Sequence, residues 1–114
     1  MAGVGDAILT KKITAAVDMP FKCFVDLTGN PGGNPTGILR DPLKTGQLGD
    51  VVYLGTAYCR AGVGGVTKNV GVKTDTDGTA IKCGSGDVRN GVALEDGVQG
   101  YDAKIFLITL AVEP

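Results

Sequence analysis

At 114 residues, with 43% hydrophobic and 20% charged side chains, the chain is sized and composed for one folded domain and not for a disordered segment. A formal net charge of −1, with no basic run longer than Lys11–Lys12, argues against a nucleic-acid partner. No apolar run reaches the roughly 18 residues of a membrane span, and Asp6 with Lys11–Lys12 interrupts anything resembling a secretory leader.

Residues 6–17 carry two patterns. Leu9, Ile13 and Ala16 fit one helical face, whereas Thr10, Ile13, Thr14 and Val17 have strand character. Pro20 ends the segment either way. We read it as an extended strand or arm, residues 1–12, lying at a sheet edge or reaching a neighbouring subunit.

Phe21 to Thr28 alternates, with Phe21, Cys23, Val25 and Leu27 on one side and Phe24 as the apolar exception on the other. The pattern predicts a half-buried strand. The run NPGGNPTG within residues 29–37 continues neither strand nor helix and reads as a stiff surface loop. Gly37–Leu39 is a short strand candidate stopped by Asp41–Pro42.

From Gly46 to Leu110, short apolar-alternating segments are separated by glycine turns. Val51–Leu54 and Thr56–Arg60 read as two strands with a bend or bulge at Gly55. The GVGG run at residues 62–65 is no dinucleotide fingerprint, because Thr67 stands where the third glycine belongs and no helical pattern follows. Val70 to Cys83 predicts a hairpin around Asp77–Gly78. A two-residue loop pairs Thr74 with Ile81 and Val72 with Cys83, turns those residues to the core, and sets Lys73 against Lys82. A longer loop with a bulge at Gly78 relieves that repulsion. The last run, KIFLITLAV from Lys104 to Val112, is apolar on both faces. It therefore belongs in the centre of a sandwich or barrel, or presents an outer face to another subunit.

The missing chemistry is informative. The chain has no histidine, so it lacks both the commonest neutral-pH base and the commonest zinc ligand. Cys23, Cys59 and Cys83 are scattered without CxxC spacing and read as reduced, mostly buried thiols. Asp75 and Asp77 suggest a calcium loop, but the first ligand position of that motif falls on Lys73. Glu95 and Asp96 are sequence neighbours and point to opposite sides of an extended chain. These absences predict no catalytic residue, no metal site and no cofactor, and make an enzyme the weakest reading.

Taken in order, several pieces resemble one family. They are Thr14–Met19, Phe24–Gly29, Gly37–Leu39 with Pro42, Val52–Ala61, Asp77–Ala80, and Gly91–Gly97 ending in Lys104–Leu107. Their sequence and spacing are similar to the small decoration, or cement, proteins on the outside of tailed-bacteriophage capsids. The resemblance spans residues 7–110. The NPGGNPTG loop and the three cysteines depart from it. It implies a virion structural protein without catalytic function, made in a bacterial host cytoplasm and placed on the capsid exterior. Its implied partners are the major capsid protein and further copies of itself, as dimers or trimers, with no nucleic acid and no membrane.

Together these readings predict an all-β fold: a single small β-sandwich or partly open barrel of seven to nine short antiparallel strands with an extended N-terminal arm. Capsid or subunit contacts are expected at Ile8 and Leu9 in the arm, at Asn30, Pro31, Asn34 and Pro35 in the loop, and at Phe106 and Ile108 on the surplus apolar face of the last strand. The alternatives are a tail or baseplate β-module, which forms rings or stacks alone, and a ligand-binding β-barrel.

Overall fold

The computed structural model describes residues 7–33, 35–107 and 111–112. Among the described residues there is no helix, and ten strands follow one another: β1 (Ala7–Thr14), β2 (Phe24–Val25), β3 (Gly37–Leu39), β4 (Leu48–Arg60), β5 (Gly71–Thr74), β6 (Ala80–Lys82), β7 (Val88–Arg89), β8 (Gly91–Ala93), β9 (Asp102–Leu107) and β10 (Ala111–Val112). Eight of them form one antiparallel sheet in the order β2-β3-β4-β9-β8-β5-β6, with β1 also on β4; β7 and β10 pair separately. The chain is all-β, as its patterning predicts.

The 13-residue β4 organises the sheet. Its first half pairs with β1 and with β3, and its second half pairs with β9 from Gly55 to Arg60. The two expected strands are thus one strand with a break in phase. Val52 points into the main core in the first half, whereas Ala57, Cys59 and Ala61 do so afterwards. A switch from even to odd inward positions requires an extra residue: consecutive Leu9 and Thr10 of β1 pair with Leu54 and Val52, skipping Tyr53, just before Gly55, whose φ of 107° suits only glycine.

Curling of the sheet makes that core. Phe24, Ile38, Val52, Cys59, Val72, Ala80, Ile105 and Leu107 fill its interior. One cross-strand row reads Ala57, Ile105, Ala93, so a large side chain sits between two small ones, an alternation that suits close packing on a curved wall. The curl does not complete a barrel. Beyond β6, one parallel bridge joins Ala80 to Ala61, and the Gly62 N–H donates to Ala80 O at 2.8 Å. The Phe24 N–H donates to Gly78 O at 2.8 Å and draws β2 onto the β5–β6 turn. A Cβ at Gly78 would lie 2.8 Å from Phe24 O, and φ there is 89°. Only glycine permits this approach.

A second core lies on the other side of β2, β3 and the first half of β4. It contains Ile13, Ala15, Met19, Cys23, Val25, Leu39 and Val51, flanked by Phe21 and Leu43. The segment after β1 folds back over this face, held by Met19 N–H to Leu43 O at 2.7 Å and Ala16 N–H to Gly29 O at 3.0 Å. This corrects the reading of Phe21–Thr28 as one half-buried strand. Only Phe24–Val25 is strand. Phe24 lies in the main core and Cys23 and Val25 in the second, while Leu27 is exposed.

Two further details differ from the patterning. The hairpin takes the longer loop: Val72 pairs with Lys82, Lys73 with Ile81 and Thr74 with Ala80. Gly78 N–H to Asp75 O and Asp75 N–H to Thr79 O close a three-residue turn with its bulge at Gly78. Val72 faces the core as expected, but Ala80 does so in place of Ile81 and Cys83, and the lysines separate. Lys73 instead reaches Asp87 at 2.9 Å. Of the final apolar run, the part up to Leu107 lies in the main sheet within β9, and Ala111–Val112 pairs with β7 as β10.

Candidate functional site

Each half of the sheet has an outer face, and the described residues cover only one. Over β4 beyond Gly55, β9 and β8, they leave the outer face partly open. Register places Thr56, Phe106 and Val92 in one row and Tyr58 and Lys104 in the next. Leu94 joins the second row, donating its N–H to Lys104 O at 2.9 Å. Phe106 and Tyr58 are each 39% exposed. Strands demand this alternation: once Ile105 and Leu107 point inward, Phe106 must point out.

Cations sit on the rings at the border between the two halves. Lys22 Nζ and Lys104 Nζ lie 5.6 and 5.8 Å from the centre of the Tyr58 ring, and the Arg60 guanidinium stacks 4.5 Å above Phe21. Such contacts hold flexible side chains over aromatic faces and leave a mixed apolar and cationic rim. Thr56 Oγ1 is buried without a hydrogen-bond partner among the described residues.

Among the described residues, no group of three or more His, Cys, Asp or Glu side chains is placed to hold a metal ion. The acids suggestive of calcium are occupied in their own turn: Asp77 Oδ1 accepts from the Thr79 hydroxyl at 2.6 Å and from Thr79 N–H at 3.0 Å. Burial pushes the Asp77 carboxyl up, but the hydrogen bonds from the Thr79 hydroxyl and N–H outweigh it and hold it below the ordinary carboxylate range. Burial, with Asp77 nearby, pushes the Cys23 thiol up to about 12. Burial chiefly, and the proximity of Cys23, raise Cys59 as well. Neither forms the thiolate that nucleophilic or redox chemistry needs near neutral pH.

The expected contact residues fall in different places. Phe106 is on the open face. Leu9 is 43% exposed on β1, opposite the exposed Leu54. Ile8 is in β1, with its side chain outside the described residues; Asn34 and Ile108 lie outside them altogether. Residues 7–12, expected as part of an arm, pair with β4 of the same chain. Asn30, Pro31 and Pro35 are half-buried in a loop tied down by its own carboxylate. Asp26 Oδ1 accepts from Thr28 N–H at 2.9 Å, Thr28 Oγ1 at 2.6 Å and Asn30 N–H at 3.0 Å. Gly32 N–H also donates to Phe24 O at 3.1 Å. The loop therefore helps to fasten β2 to the hairpin turn. Tyr58, Leu94, Lys22 and Lys104 were not singled out from the sequence. The signal for Tyr58 was present, since a phase break at Gly55 turns Tyr58 outward whenever Cys59 points in.

No protein-family model matches the chain, and no curated protein is similar to it in sequence. A solved structure does share the fold: the N base of the head fiber protein gp8.5 of bacteriophage phi29. It superposes with a TM-score of 0.62 at 16% identity, over 93% of this chain and 98% of that one. The likeness spans both halves of the sheet and establishes a common architecture.

Proposed function

We propose that the chain is a structural protein of a phage virion that sits on the outside of the capsid and stabilises it, with no catalytic role. The observation that carries this reading is the open apolar face of β4, β9 and β8 on an otherwise well-filled domain. The likeness to a head fiber base adds support, as do the ordered motifs similar to capsid decoration proteins. In this reading, coat subunits and further copies of the chain are the neighbours that cover Phe106, Tyr58 and Leu94. A ligand that binds only the assembled shell stabilises it by mass action, and many weak sites on one lattice suffice.

The likeness to a fiber base also favours a second form of the same reading, in which the domain seats a longer appendage on the head. Co-sedimentation with coat-protein shells assembled without the chain tests both, followed by a heat challenge. Saturable binding with a raised shell melting temperature supports the stabilising role. Saturable binding without that shift supports the seat of an appendage. Rings or tubes of the purified chain, with no shell binding, would favour a tail component.

A further inference from the structure

We draw no further inference here: the strongest candidate, the joint tip that the turns of residues 61–66 and 97–101 form at the end of β4 with Val63, Val98 and Tyr101 exposed, carries nothing because nothing in the structure shows what covers it.

Discussion

The two halves of the sheet share one interior and differ in what lies outside it. Over β2, β3 and the first half of β4, the N-terminal segment supplies Ile13, Ala15 and Met19 as an outer cover, so these strands are apolar on both faces. Beyond the phase break before Gly55, the same strand passes into a region with a filled interior and an exterior that the described residues leave partly open. The difference teaches that surplus apolar side chains are not equivalent. Val51, Leu39 and Val25 are surplus to the main core but serve a second one, whereas Phe106, Tyr58 and Leu94 have no cover within the described chain.

Substitution separates the halves most sharply. Met19→Ala on the covered half deletes a buried side chain and is expected to lower stability by about 2–5 kcal/mol, read from the midpoint of urea unfolding. Phe106→Ala on the open half is expected to cost less, about 1–2 kcal/mol, because 39% of its surface is already in water. Equal costs at the two sites would erase the distinction. Next in size is the junction that fastens the covered half to the hairpin. Gly78→Ala combines a strained positive φ with a collision against Phe24 O, and a loss of about 2–4 kcal/mol is expected in the same assay.

A smaller effect tests the loop that backs this junction. Asp26→Ala removes three hydrogen bonds and is expected to cost on the order of 1–2 kcal/mol. Burial pushes the Asp26 carboxyl up, yet hydrogen bonds from the Thr28 hydroxyl and from the Asn30 and Thr28 N–H groups, with the Gly29 N–H nearby, bring it below its ordinary value. A carboxyl depressed in the folded state contributes stability that is present above its unfolded pKa and disappears as pH falls through the folded one. The wild-type melting temperature should therefore fall below about pH 4, and more steeply than that of Asp26→Ala. The least disruptive check is thiol labelling of the native protein. Cys23 and Cys59 are buried and Cys83 is half-buried, so one thiol should react before unfolding and three after it.

Much of this was legible in the sequence because a period of two is a strong signal where one face is wet. The all-β class, the bulge region at Gly55 and the turn at Asp77–Gly78 all follow from it. The pattern failed where both faces are dry. Phe24 looked like an exception within a half-buried strand because no single strand reveals that a distant segment, residues 13–19, will cover its far side. The hairpin register was ambiguous for a different reason: Asp-Gly suits a two-residue turn and a bulged three-residue turn, and the repulsion between Lys73 and Lys82 was the only local clue. The candidate surface was legible at Phe106 alone. Tyr58 and Leu94 become its neighbours through pairings of β4 and β8 with β9 that no local pattern specifies.

Hydroxyl-radical footprinting of the chain, free and bound to shells, tests the central claim most directly. The account predicts that oxidation of Phe106, Tyr58 and Leu94 falls on binding, while that of Leu27 and Leu48 is unchanged. Protection confined to β1 and residues 29–37, with the open face as reactive as before, would contradict it.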